Sequence, residues 1–204
     1  MPDSPLVVVS AAVEGIVDEA VLRRLLEGAG ASLGAVHGKK GKSHLRLRIT
    51  GYNQAARFSP WVVLIDLDQD AECAPPLRRT WLPDSSPRLC LRIAVRAVEA
   101  WILADRERLA LFLAVTRASV PQEPEKLPDP KSVLVHLAKH SRRRDIREDM
   151  FPRAAGGRRV GPAYSSRLIE FVSDHSAGWR PEVAAGSSES LRRCLASLRA
   201  LVTA

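Results

Sequence analysis

Trp61-Val-Val-Leu-Ile-Asp-Leu-Asp-Gln-Asp70 is an apolar run that stops in carboxylates. Trp61–Ile65 shows no polar alternation, which is the pattern of a strand covered on both faces in a parallel α/β sheet. Open α/β sheets bind ligands at the carboxyl ends of their strands, so Asp66, Asp68 and Asp70 are expected at a ligand edge. Residues i and i+2 of an extended segment share a face. Asp66 and Asp68 are therefore expected to grip one hard cation. Without a cation or an arginine between them, two aligned carboxylates repel.

A second strand ends the same way. Leu6–Val13 is continuously apolar and runs into Glu14-Gly-Ile-Val-Asp-Glu19. Gly15 allows a tight turn. Asp18, four residues after Glu14, returns to the same side once a helix starts, while Glu19 suits the positive end of that helix. Val17, Val21, Leu22, Leu25 and Leu26 define one face of a helix over 17–27, which Gly28 and Gly30 end. Strand and helix together read as the opening of a βαβ unit.

The rest of the chain divides by pattern. Ala31–Ser43 reads as a loop. Leu45, Leu47 and Ile49 alternate with Arg46, Arg48 and Thr50, predicting a strand with a basic exposed face. Gly51–Ser59 reads as a short helix or turn, and Ala71–Pro87 as a loop with at most a short helix. Leu89–Val95 predicts a further strand and Val98–Leu113 a helix. Glu99, inside that apolar helix start, either pairs with Arg92 or Arg96 or belongs to the site. Asp105 reads as an ordinary surface carboxylate. Four prolines in Val120–Pro130 exclude a regular element and suggest a boundary. Helices are predicted over Lys131–His140, Tyr164–Ser173 and Glu189–Val202, the last capped by Ser187 or Ser188. Arg142–Gly161 reads as a basic surface loop.

The 204 residues suit one domain, or a domain with an appendage; 46% hydrophobic and 26% charged content places the chain among globular proteins. No apolar stretch approaches the ~20 residues that span a bilayer. Met1-Pro-Asp-Ser-Pro-Leu6 has no basic start, so a signal peptide is not expected. Cys73, Cys90 and Cys194 form no Cys-x-x-Cys pair, which speaks against a zinc site or a disulfide framework. A reducing cytoplasm is the expected compartment.

The net charge of +8 favours a polyanionic partner. His37–Arg48 carries Lys39, Lys40, Lys42, Arg46 and Arg48 and no acid. Arg142, Arg143 and Arg144 could extend such a track. Contacts from these residues would be with phosphates, and therefore sequence-blind and salt-dependent. The bland alternative is a solvated basic surface. A Walker loop is excluded because Val36 stands where its first glycine must be. An EF-hand is excluded because Ala71 and Leu77 stand at its glycine and glutamate positions. His136 and His140 lie on one helix face but enclose no carboxylate, so zinc is not expected there.

Val13-Glu-Gly-Ile-Val-Asp-Glu19 followed by Leu64-Ile-Asp-Leu-Asp68 resembles the TOPRIM fold, the catalytic module of topoisomerases, primases and OLD-family nucleases. The Glu-Gly-x-x-Asp form is most similar to OLD-type and RloB-like nucleases. Ala97-Val-Glu-Ala-Trp101 and Gly161-Pro-Ala-Tyr-Ser165 resemble small TOPRIM-like proteins associated with phage defence. The resemblance covers roughly residues 6–113. It implies an α/β fold with a mainly parallel, Rossmann-like sheet flanked by helices. With the boundary at the prolines, the expected organisation is a TOPRIM-like catalytic domain over 1–115, a proline-rich linker over 116–130 and a helical C-terminal extension over 131–204. The resemblance further implies Glu14, Asp18, Asp66 and Asp68 as metal ligands, with Glu99 as an addition, and Mg²⁺ or Mn²⁺ as the ion; Asp70 joins the expected ligands from the acidic run itself. Lys131 is the residue available for the family's later lysine. Any ATPase would be a separate partner.

The expected function is a Mg²⁺-dependent phosphodiesterase acting on DNA or RNA, with Glu14, Asp66 and Asp68 as its catalytic carboxylates. Two alternatives stand beside it. One is a non-catalytic module that binds nucleic acid or a protein partner. The other is a haloacid-dehalogenase-like phosphatase with Asp66 as nucleophile.

Overall fold

Four segments pair as one parallel sheet: β1 (Val7–Val13), β2 (Ala31–Gly38), β3 (Trp61–Asp66) and β4 (Leu89–Ala94), in the order β2-β1-β3-β4. The computed structural model describes residues 6–153 and 157–203. The chain start at residues 1–5, and residues 154–156 of the expected basic loop, lie outside the described residues. Contacts divide the chain into two compact units, 1–94 with 193–204, and 95–192. Residues 116–130 fall within the second.

In the first unit, central position explains composition. β3 lies between β1 and β4, and Trp61–Ile65 are all buried. Each such aliphatic side chain contributes about 1.5–3 kcal/mol by leaving water. α1 (Ile16–Gly28) buries Val17, Val21, Leu22, Leu25 and Leu26. α2 (Lys42–Ala55) connects β2 to β3, and α3 (Ala74–Trp81), with Pro75 and Pro76 in its first turn, precedes β4. The unit is a Rossmann-like α/β sheet flanked by helices.

Two predictions in this unit are corrected. The expected strand at Leu45–Thr50 is the middle of α2. Leu45 and Ile49 are buried one helical turn apart, whereas Leu47 is 83% exposed. A strand would have put all three on one face; a helix of 3.6 residues per turn puts only the outer two there. The expected loop at Ala31–Ser43 holds β2. Its small residues give little apolar signal, and its strand character comes from pairing with β1.

The second unit is helical: α4 (Val98–Ala104), α5 (Arg106–Leu113), α6 (Pro130–Lys139), α7 (Arg144–Met150), α8 (Tyr164–Ser173) and α9 (Pro181–Ala184). α10 (Glu189–Thr203) begins here, and its residues from Arg193 belong to the first unit. Trp101 and Trp179 are fully buried, and the Trp179 indole donates to the Trp101 carbonyl at 3.1 Å. The proline-bearing stretch holds the short 3₁₀ turn Pro124–Lys126, a second such turn, Arg117–Ser119, precedes it, and Pro130 opens α6. Glu125 Oε1 accepts from the Ser188 and Ser190 hydroxyls, each at 2.6 Å, and from the Ser190 N–H at 2.9 Å. Ser188 in turn accepts from the Leu191 N–H and so caps α10.

Three further expectations change here. Val98–Leu113 is two helices, broken at Asp105. That residue is not a surface carboxylate: its side chain has no exposure, caps α5 through the Arg108 N–H, and pairs with Arg180 at 2.7 Å and 2.9 Å. The Arg142–Gly161 loop contains α7, whose Ile146 and Met150 are buried.

Candidate functional site

β1 leads through α1 to β2 on one side; β2 leads through α2 past β1 to β3 on the other. The direction of winding therefore reverses between β1 and β3. Sheets of this kind take ligands at such a reversal, at the carboxyl ends of the two strands. Register pairs Val13 with Leu64, so Glu14 leaves β1 level with Ile65, one residue short of Asp66. Glu14 Oε1 accepts the Asp66 N–H at 2.9 Å and ties the two strand ends together.

Burial raises the Glu14 carboxyl above its ordinary value of 4.5, against the Asp66 N–H and the Lys42 charge, which lower it. A carboxyl so raised takes up its proton more readily folded than unfolded. Its stabilising contribution is complete below the ordinary value and is lost as pH rises through the folded value. Glu14→Gln keeps an acceptor for the Asp66 N–H and abolishes the titration. Denaturant melts of the two proteins from pH 4 to pH 8 are expected to show the variant gaining stability relative to wild type as pH rises. A constant difference across that range would refute this assignment.

Asp68 departs from the sequence expectation. β3 ends at Asp66, the Leu67 N–H still donates to the Ala94 carbonyl at 2.8 Å, and the Asp70 N–H then closes a turn onto the Leu67 carbonyl at 3.2 Å. Asp68 sits in that turn at φ 51°, in the left-handed region. Aspartate is among the few residues that enter it readily. Asp66 and Asp68 are thus not i, i+2 neighbours on one extended face, and it is Asp70 that shares a counter-charge with Asp68.

The counter-charge is Lys42. Its Nζ lies 2.5 Å from Asp68 Oδ2 and 2.8 Å from Asp70 Oδ2. The β2–α2 loop brings it there. Gly38, at φ 87°, lets that loop cross β1 closely, since a Cβ would lie 2.4 Å from the Val13 carbonyl oxygen. The Lys39 N–H then donates to the Val13 carbonyl at 2.8 Å and the Gly41 N–H to the Glu14 carbonyl at 3.1 Å. A lysine opening a helix opposes the helix dipole; the two aspartates compensate. Burial works to lower the Lys42 pKa, but its bonds to Asp68 and Asp70 and the charge of Glu14 outweigh that and leave it raised.

Asp18 is buried in the first turn of α1, with Oδ2 3.2 Å from where a Gly15 Cβ would be. Glu99 lies in the second unit. It is 3% exposed, accepts from Tyr164 Oη at 3.4 Å and faces Lys131 Nζ at 3.4 Å. Burial, with the Glu99 charge, pushes the Tyr164 hydroxyl well above its ordinary range. Of the basic residues, Lys40, Arg46, Arg48 and Arg142 are exposed. Lys39 pairs with Glu19 at 2.9 Å, Arg143 with Asp145, and Arg144 with Glu148 at 2.7 Å. The role of Lys42 was missed in the sequence, although the rule that paired carboxylates need a cation pointed to one.

The oxygen donors at this sheet edge, Glu14, Asp66, Asp68 and Asp70, are the hard set that suits Mg²⁺ or Mn²⁺. The Lys42 ammonium is a cation already seated on two of them. Among the described residues, no three His, Cys, Asp or Glu side chains form a ready-made metal shell. No helix among them is long and apolar enough to cross a membrane. The chain matches no family model, no curated protein and no solved structure.

Proposed function

We propose that the chain is a Mg²⁺- or Mn²⁺-dependent phosphodiesterase acting on nucleic acid, with Glu14, Asp66, Asp68 and Asp70 holding the ion. The observation that carries this reading is the meeting of two strand ends at the winding reversal, Glu14 bonded to the Asp66 N–H, beside an aspartate pair that already attracts a cation. When bound, the ion would supply Lewis acidity and an activated water. Glu14 orients the end of β3. The turn at Asp68 and Asp70, about half exposed, is open to an ion from solvent. Exposed Lys40, Arg46 and Arg48 attract the polyanion without reading its sequence. The test is cleavage of plasmid, single-stranded DNA and RNA by the full chain with Mg²⁺ or Mn²⁺, against EDTA. Cleavage indifferent to EDTA, or none with either ion, would sink the reading. Action in phage defence with a separate ATPase is a further proposal that rests on the sequence resemblance alone.

The same ammonium favours a second reading, a non-catalytic nucleic-acid-binding module in which Lys42 neutralises the aspartates permanently. Lys42→Met separates the two. The two aspartates are about half exposed although Lys42 is not; ion pairs with such solvent access are weak, so a divalent ion can displace the ammonium. Under the first reading the variant binds Mn²⁺ on the order of tenfold more tightly, by titration followed with electron paramagnetic resonance. Under the second neither protein shows saturable Mn²⁺ binding.

A further inference from the structure

His37, Tyr52 and Trp61 cluster in the first unit, close to the acidic edge but not part of it. Ring centroids lie 5.3 Å apart for His37 and Trp61 and 5.4 Å for Tyr52 and Trp61, with interplanar angles of 25° and 24°. These are stacked geometries, which position the rings more firmly than area burial alone. The sheet builds the cluster. His37 on β2 pairs with Ala12, and Trp61 on β3 pairs with Ser10, so only small β1 residues stand between the two ring-bearing strands. Tyr52 comes from α2. Trp61 is buried, Tyr52 half-buried and His37 exposed. The cluster therefore presents one ring to solvent with two rings behind it.

The segment that carries that ring is basic, although Lys39 is paired with Glu19 and Lys42 with Asp68 and Asp70. The segment from His37 to Arg48 carries five Lys or Arg and no acid. Lys40, Arg46 and Arg48 are exposed, and the Arg48 charge reaches the Tyr52 hydroxyl. An aromatic surface inside a basic stretch fits a polyanion that offers free π faces. A duplex keeps its bases stacked inside and offers phosphates, whereas a single strand offers both. The position also suits the neighbouring acids. Glu14 lies two residues beyond Ala12, the partner of His37, or roughly 7 Å along the strand.

We propose that His37, backed by Trp61 and Tyr52, is a stacking platform for an unpaired base of single-stranded nucleic acid, with Lys40, Arg46 and Arg48 holding the adjoining phosphates. This rests on the nucleic-acid reading above but requires no cleavage. His37→Ala removes the outer ring, His37→Phe keeps one, and Lys40→Ala removes only charge.

The experiment measures binding by the full chain in EDTA, by fluorescence anisotropy. The probes are a labelled oligothymidylate, its oligouridylate counterpart, an abasic strand of equal length and a duplex of equal length. Stacking is worth on the order of tenfold per base. Either the deoxy or the ribo strand is expected to bind about tenfold more tightly than the duplex and the abasic strand. His37→Ala should erase that preference, His37→Phe should preserve it, and Lys40→Ala should weaken all probes together. Equal binding of strand and duplex overturns the proposal. So does a His37→Ala loss shared by the abasic strand. If the preference holds but the chain cleaves nothing in Mg²⁺ or Mn²⁺, only the phosphodiesterase reading falls. If it cleaves but shows no preference, only the platform falls.

Discussion

Converting Asp66 and Asp68 together to asparagine is expected to reduce metal-dependent cleavage by about a thousandfold or more, because an ion that stabilises transition-state charge is worth several kcal/mol. Asparagine is the informative replacement. It tolerates the left-handed backbone that Asp68 adopts at φ 51°, where alanine would add strain unrelated to chemistry. It also keeps side-chain volume. Asp68 is half exposed and its pair with Lys42 involves one carboxylate of two, so folding should change by less than about 1 kcal/mol. Lost cleavage with an unchanged denaturation midpoint then reports the site itself. Cleavage that survives in a preparation free of contaminating nuclease would refute the assignment of these carboxylates.

The largest stability effect belongs to a pair remote in sequence. Arg180→Ala is expected to destabilise the protein by about 3–5 kcal/mol, the usual consequence of stranding one member of a buried ion pair. Asp105 has no side-chain exposure. Arg180 satisfies it through Nε at 2.9 Å, Nη2 at 2.7 Å and its own backbone N–H at 3.0 Å. Removing the guanidinium leaves a buried carboxylate with its cap to α5 as partial compensation. Asp105→Asn with Arg180→Ala should recover part of the loss, since the buried group is then neutral. Denaturant unfolding of the full chain measures both. A loss under about 1 kcal/mol for Arg180→Ala would mean the pair is solvated, contrary to its burial.

Several of these features were legible in the chain itself. The strand at Trp61–Ile65 was legible because cover on both faces leaves an unbroken apolar run; the one at Val7–Val13 was legible from the same pattern, although Leu6 and Val8 are exposed and its burial is complete only from Ala11. The helix at 17–27 was legible because five apolar side chains repeat at helical spacing. Glu14 and Asp66 at strand ends followed from the same runs, whereas the adjacency of those strands came from the sheet order. Leu45-Arg-Leu-Arg-Ile49 was misread because Leu45 and Ile49 satisfy both the strand and the helix period, and only the fate of Leu47 distinguishes them. β2 was missed because an edge strand of small residues draws its identity from its neighbour.

From the sequence alone came the α/β class, the parallel sheet and the acids that end its strands, since these depend on local hydrophobic period and on which residues interrupt it. Tertiary structure decided which charges meet. Lys42 reaches Asp68 and Asp70 from another βα connection, Arg180 reaches Asp105 across 75 positions, and His37 meets Trp61 across an intervening strand. Such contacts join residues far apart in the chain, and no local pattern encodes them. The physical reason is that a side chain's period reports the face it occupies, while its partner is set by how whole elements pack.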